Sequence, residues 1–110
     1  MQPGRATLLL PFREEIVTIG TTVHGGAIAS LIDTTAMVAA WSDAPMPEKI
    51  RGTTVSLTVS YLAAASGKED LQATARVLRR GRSLVYLDVE VVESVSGNAV
   101  AKGLVTYKIG

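Results

Sequence analysis

Asp33 is a carboxylate in an unusual place. From Ile16 to Ser42 it is the only residue that carries a full charge at neutral pH. An ionised carboxylate inside an apolar helix costs free energy unless it is paired or used in chemistry. Its place in the middle of the segment argues against an N-cap role and against an ordinary surface position. The residue types therefore indicate Asp33 as a candidate catalytic residue.

The tripeptide His24-Gly25-Gly26 stands where this helix is expected to begin. The first N–H groups of a helix have no internal acceptor, and with the helix dipole they attract an anion or developing negative charge. Glycines at this point let a ligand oxygen approach the backbone closely. The alternative interpretation is that the glycines only let the chain turn into the helix. His24 is either catalytic or a structural residue that holds the loop by hydrogen bonds.

The spacing of these candidates restricts how they can act together. Asp33 lies eight residues after Gly25, which along one helix is about 12 Å. A base and an oxyanion donor must each come within roughly 3 Å of one reacting group. If both act, Asp33 of one subunit must face Gly25 of another, and a two-fold dimer would form two such sites.

Two further features could contribute to a site. Thr54 begins an alternating strand, where its hydroxyl could hold a water near Asp33 or be an ordinary strand threonine. Four arginines (Arg76, Arg79, Arg80 and Arg82) cluster around the turn at Gly81. Guanidinium groups suit phosphate oxygens, so this cluster is either a phosphate site or a solvated hairpin tip.

The elements that must position these residues follow from periodicity. The pattern predicts a strand over 6–17, a helix from Ala27 to Trp41 that is apolar nearly all round, and a loop over 43–52. Four strands follow, over Thr54–Tyr61, Leu71–Leu78, Leu84–Val92 and Val100–Ile109. Asp88 and Glu90 alternate with valines, which indicates a sheet that is wet on one face. One antiparallel sheet wrapped around one helix is an α+β fold.

Composition narrows the classes of protein. The 110 residues predict a single domain over 1–110, and a net charge of +1 argues against nucleic acid as a partner. The absence of cysteine excludes disulfide scaffolds and thiolate metal sites. No apolar run is long enough for a signal peptide or a membrane span, so we expect a cytoplasmic protein with no membrane association.

These residues resemble the hotdog-fold acyl-CoA thioesterases, specifically the phenylacetate-pathway (PaaI-like) branch. The resemblance is carried by His24-Gly25-Gly26 with Asp33 nine residues after the histidine, by the strand Gly52–Tyr61, and by the turn Arg80-Gly81-Arg82-Ser83. It extends from about Ala6 to Lys108.

The resemblance implies a sheet curled around the central helix, with dimers joined through their sheets and often paired into tetramers. It implies that Asp33 is the general base or nucleophile and that the Gly25 N–H of the neighbouring subunit polarises the thioester carbonyl. It further implies that Thr54 places the water and that the turn at Arg80 meets the nucleotide end of coenzyme A. No metal or cofactor is expected, because coenzyme A enters as part of the substrate.

The remaining expectations concern the substrate. Gly26, Met37 and the turn residues Gly81, Arg82 and Ser83 are expected to contact it, and its acyl group is expected to be a small aryl or medium-chain group. The family commonly has an asparagine six residues before His24, where this chain has Thr18, and we expect this difference to affect rate or substrate preference. The alternatives are a domain that binds acyl-CoA without turnover and an enoyl-CoA hydratase or dehydratase.

Overall fold

The computed structural model describes residues 3–13, 17–19, 22–42, 52–65 and 68–109. In chain order the elements are β1 (Arg5–Leu10), β2 (Val17–Ile19), β3 (Thr22–Val23), α1 (Gly25–Trp41), β4 (Gly52–Tyr61), β5 (Leu71–Arg80), β6 (Leu84–Glu93) and β7 (Ala99–Ile109). The predicted loop over 43–52 lies outside the described residues, except for Gly52, which opens β4. The first strand is shorter than predicted, because β1 ends at Leu10. The next residue is Pro11, which has no N–H to donate to a neighbouring strand.

Five of the strands form one antiparallel sheet in the order β1-β5-β6-β7-β4, and β2 pairs with β3 in a separate two-stranded sheet. The strands β5, β6 and β7 are consecutive in the chain and adjacent in the sheet, as their short turns require. The strand β4 pairs with the far side of β7 and so lies at one edge, while β1 lies at the other. This arrangement confirms the predicted α+β architecture.

The helix α1 packs across the inner face of the sheet. Its buried residues are Ile28, Leu31, Ile32, Thr35, Ala36, Ala39 and Ala40, and the predicted apolar face is thereby confirmed. Gly103 in β7 permits the close approach, because a Cβ there would lie 2.6 Å from Cγ2 of Ile32. The opposite face of α1 carries the exposed residues Ser30, Thr34 and Met37. The helix that the sequence shows as apolar nearly all round is therefore covered on one face only within a single chain.

The outer face of the sheet is exposed to solvent, which confirms the predicted wet face. Val89 and Val91 are buried while Glu90 is exposed. Asp88 is an exception, at 7% exposed, because Arg76 covers it with two hydrogen bonds of 3.2 and 3.0 Å. These hydrogen bonds and the charge of Asp88 raise the pKa of Arg76 above its ordinary value.

Among the described residues, no helix is both long and apolar enough to span a membrane. The helix α1 has 17 residues, and its N-terminus and the middle of its uncovered face carry the candidate catalytic residues. The fold therefore places Asp33, Gly25 and Thr54 on two neighbouring elements, α1 and β4, on the same side of the sheet.

Candidate active site

The structure brings Asp33 and Thr54 together. The Thr54 hydroxyl donates to Oδ1 of Asp33 at 2.5 Å, the short distance typical of a hydrogen bond to a carboxylate. Both side chains are half-buried, so the carboxylate is held on one oxygen while water can still reach it. This contact gives the lone carboxylate of α1 the partner that its position requires.

A bulge in β4 turns Thr54 toward the helix. Thr54 lies opposite Tyr107 of β7, whereas the next pair joins Ser56 to Thr106, so Val55 is the extra residue. Without the bulge, strict alternation would place Thr54 on the outer face with Ser56. With it, Thr54 shares the inner face with Leu57, which lies opposite the buried Val105. Bulges commonly re-aim a side chain beside an active site.

The start of α1 is capped by His24. Its Nδ1 accepts the Gly26 N–H at 2.9 Å, the hydrogen bond of an N-cap side chain. This contact is the kind that the structural interpretation of His24 predicted, and it uses the Gly26 N–H. A catalytic role for His24 stays a prediction. No acidic side chain lies in the first turn to neutralise the helix dipole.

The Gly25 N–H points out of the helix. The His24 carbonyl accepts from the N–H groups of Ala27 at 3.0 Å and Ile28 at 3.3 Å, and so points along the helix. In a trans peptide the C=O and N–H point in opposite directions, so the Gly25 N–H is directed away from the helix body. Within the described part of the chain it meets no acceptor. This N–H is therefore a backbone donor that is open to a ligand.

Tyr61 is a site residue that the sequence reasoning did not assign. It ends β4, and its hydroxyl donates to the Gly25 carbonyl at 2.8 Å. Its ring lines a cleft of about 310 Å³ next to Gly25, together with Val23, Ile28, Leu62, Ala63, Ala64 and Ala65. The sequence offered one indication of this role, because Tyr61 ends the same predicted strand that Thr54 begins.

The two arginines that flank Gly81 lie in different surroundings. A second bulge, between Val77 and Arg79, places Arg80 opposite the buried Val85 and so on the inner face. There its guanidinium donates to the Ala40 carbonyl at 2.9 Å and holds the C-terminal end of α1, where carbonyls lack helical partners. Arg82 is exposed in the turn.

The other expected contact residues take separate positions. Gly81 and Ser83 shape the turn, since the Gly81 N–H donates to the Leu84 carbonyl at 2.7 Å and the Ser83 carbonyl accepts from Ile109 at 2.8 Å. Met37 is exposed one turn beyond Asp33 on α1.

Thr18 belongs to β2, and its side chain lies outside what the structure describes. No three acidic or histidine side chains of the described ranges cluster closely enough to hold a metal ion.

Comparison with known proteins identifies relatives over nearly the whole chain. The family model described as the thioesterase superfamily matches residues 20–98. Human acyl-coenzyme A thioesterase 13 is 30% identical over 111 residues, which cover 98% of this chain and 75% of that protein.

Two solved structures extend the comparison to the fold. Zebra fish thioesterase superfamily member 2 is 30% identical with a TM-score of 0.85, covering 100% of this chain and 78% of that one. The PaaI protein of E. coli, from the phenylacetic acid degradation operon, is 22% identical with a TM-score of 0.85. The match covers 98% of this chain and 74% of the PaaI chain. The predicted hotdog fold is thereby confirmed.

Proposed function

Since this chain belongs to the thioesterase superfamily and is a thioester hydrolase, we propose that it hydrolyses acyl-CoA thioesters with Asp33 as its catalytic carboxylate. The observation that carries this proposal is the 2.5 Å hydrogen bond from Thr54 to Oδ1 of Asp33. It fixes the carboxylate and leaves Oδ2 to act on a water or on the thioester carbonyl. The proposal places small aryl and medium-chain acyl groups first among the substrates.

The chemistry requires few groups. Oδ2 of Asp33 either removes a proton from the attacking water or attacks the carbonyl carbon itself, and both routes begin from the same held carboxylate. The carbonyl oxygen gains negative charge as the bond forms, and a backbone N–H directed at it stabilises that charge. Coenzyme A leaves as a thiolate, which departs readily without strong acid assistance. The Gly25 N–H is the donor that this step uses.

The donor comes from a second subunit in this proposal. Gly25 and Asp33 are separated along α1 by about 12 Å, too far for both to contact one carbonyl group. A two-fold axis that set two α1 helices side by side in opposite directions would bring Asp33 of each chain to Gly25 of the other. The enzyme would then be a homodimer with two identical composite sites.

The surface around β4 supports this assembly. Among the strands described, β4 pairs only with β7, so its other edge is open. The apolar residues Val55, Leu57, Tyr61 and Leu62 are 39–57% exposed along it. An open edge strand with exposed apolar side chains invites pairing with another strand. Pairing of two β4 edges would join the sheets and cover the free face of α1; further pairing into tetramers stays a prediction.

Arg82 is the residue that we assign to the phosphate groups of coenzyme A. Arg80 already donates to the Ala40 carbonyl, so its contribution is to hold the end of the helix that carries Asp33. Arg82 is exposed beside it, and a guanidinium group binds phosphate oxygens in pairs. Met37, one turn from Asp33 on the uncovered face, is assigned to the acyl group.

Thiol release from a panel of acyl-CoAs tests the proposal. The panel includes phenylacetyl, hydroxylated benzoyl and aliphatic thioesters of increasing length. Asp33→Asn is expected to lower turnover by about 10² to 10⁴, the share of a positioned base. Glu90→Gln is the matched control, because that carboxylate is exposed on the outer face of the sheet. Tight acyl-CoA binding without hydrolysis by the folded wild-type protein would contradict the proposal.

A further inference from the structure

One peptide group at the start of α1 is held at both of its ends. The carbonyl of the Gly25–Gly26 peptide accepts the Tyr61 hydroxyl at 2.8 Å. The N–H of the same peptide donates to Nδ1 of His24 at 2.9 Å. A planar peptide that is restrained at its carbonyl and at its N–H cannot rotate.

This restraint matters because two consecutive glycines begin the helix. Gly25 and Gly26 lack a Cβ and have the greatest backbone freedom of any residue type. They also form the first turn of α1, where internal helical hydrogen bonds are missing at the N–H groups. An oxyanion donor is effective only when its direction is fixed before the reaction. The Gly25 N–H belongs to the preceding peptide, whose His24 carbonyl accepts two N–H groups of α1. The Tyr61 contact restrains the backbone on the other side of the Gly25 Cα, so the direction of the N–H is held from both sides.

We propose that Tyr61 is a positioning residue for the oxyanion site, holding the Gly25 carbonyl so that the adjacent Gly25 N–H keeps its direction toward the substrate. The inference rests on the proposed function, in which that N–H binds the thioester oxygen. Tyr61 acts through Gly25 and is not assigned a contact with the reacting atoms.

The placement of Tyr61 supports a role for its hydroxyl beyond that of its ring. The residue is 54% exposed, so burial of the ring contributes only part of what a core aromatic would. A Cβ added at Gly25 would lie 3.4 Å from the ring, an ordinary contact distance, so the ring lies beside Gly25 without crowding it. The same strand carries Thr54, which holds Asp33. Through these two hydroxyls, β4 fixes both catalytic groups of its own chain's helix.

Tyr61→Phe tests the inference because it keeps the ring and removes one hydroxyl. We expect kcat to fall about fivefold, the effect of losing one hydrogen bond, with KM nearly unchanged and the melting temperature lowered by no more than a few degrees. Tyr86→Phe is the control, since Tyr86 is also partly exposed but lies on the outer face of the sheet, opposite Thr106. A structural role alone would lower the melting temperature and leave kcat per folded protein at the wild-type value.

A second readout separates this inference from the proposed function. Exchange of the Gly26 amide hydrogen with water, followed by NMR, is expected to accelerate about fivefold in Tyr61→Phe and not in Tyr86→Phe. Unchanged Gly26 exchange would overturn the inference, whatever the activity. Faster exchange with unchanged kcat, in an enzyme that Asp33→Asn inactivates, would also overturn it. A wild-type protein inactive on every thioester would refute the proposed function, while Gly26 exchange would still decide whether Tyr61 holds the peptide.

Discussion

Replacing Gly25 with proline removes the one N–H group that the mechanism needs and leaves the fold intact. Gly25 is the first residue of α1, the helical position at which proline is best tolerated. His24 before it has ψ 132°, so it is extended and avoids the α-helical region that proline disfavours in the residue before it. A Cβ at Gly25 would lie 3.4 Å from the Tyr61 ring, an ordinary contact. The substitution therefore meets no steric obstacle at these positions.

The expected loss follows from what the N–H does. It meets no acceptor within the described residues, so its removal breaks no hydrogen bond of the folded chain described there. Loss of one oxyanion donor costs about 10²–10³ in kcat, or roughly 2.7–4 kcal/mol of transition-state stabilisation. The free energy of unfolding should stay within about 1 kcal/mol of the wild-type value or rise, because proline restricts the unfolded chain.

The assay is steady-state thiol release on the best acyl-CoA of the panel, with stability measured by urea unfolding. Gly25→Ala is the matched control, since alanine adds the same Cβ and keeps the N–H; its kcat should stay within about threefold of wild type, well short of the loss of an oxyanion donor. Equal kcat for the proline and alanine variants would refute the assignment of the Gly25 N–H as the oxyanion donor.

Three further predictions test other parts of the account. Thr54→Val should lower kcat by about 10–100-fold, from the loss of a hydrogen bond to a charged group, whereas Thr54→Ser should retain most activity; equal loss in both would contradict the hydroxyl's role. Gly103→Ala should destabilise the fold by roughly 1–3 kcal/mol through overpacking against Ile32, and by less in an Ile32→Leu background, as measured by urea unfolding. Glu69 accepts two turn N–H groups, which lower the pKa of its carboxyl below 4.5; its stabilisation is therefore present above that pH and lost as the pH falls through the lowered pKa. The melting-temperature difference between wild type and Glu69→Gln should accordingly vanish in acid, and a difference that persisted at pH 2 would contradict this.

The sequence predicted the elements well because their signals are local. The apolar periodicity that buries Ile28, Leu31 and Ile32 is contained within α1 itself, and the alternation of β6 is visible in its own residues. Asp33 was identified by its charge in an apolar segment, and the structure supplies its partner, Thr54. The helix begins at Gly25 and not at Ala27 because His24 provides the cap.

The sequence could not predict the two bulges, and they decide which side chains reach α1. The alternation of β4 placed Thr54 with the outward serines, but the extra residue at Val55 returns it to the inner face. In the same way the bulge after Val77 brings Arg80 to the Ala40 carbonyl, a contact that the sequence did not predict, while its expected role at phosphate groups stays a prediction. A bulge is a property of the pairing between two strands, so it leaves no mark in the alternation of one strand. The contact between Tyr61 and Gly25 joins residues 36 positions apart and depends on the same pairing.

The central claim is that each site combines Asp33 of one subunit with Gly25 of the other, and subunit mixing tests it most directly. Asp33→Asn and Gly25→Pro homodimers each lack one group at both sites and should be nearly inactive. A heterodimer of the two has one site with neither group and one site with both, so an equimolar mixture that is unfolded and refolded together should recover about a quarter of wild-type activity. Recovery near that value would establish the composite site. Correctly mixed heterodimers that stayed inactive would contradict it, because Asp33 and Gly25 lie about 12 Å apart along one helix and would then not act together on one carbonyl group.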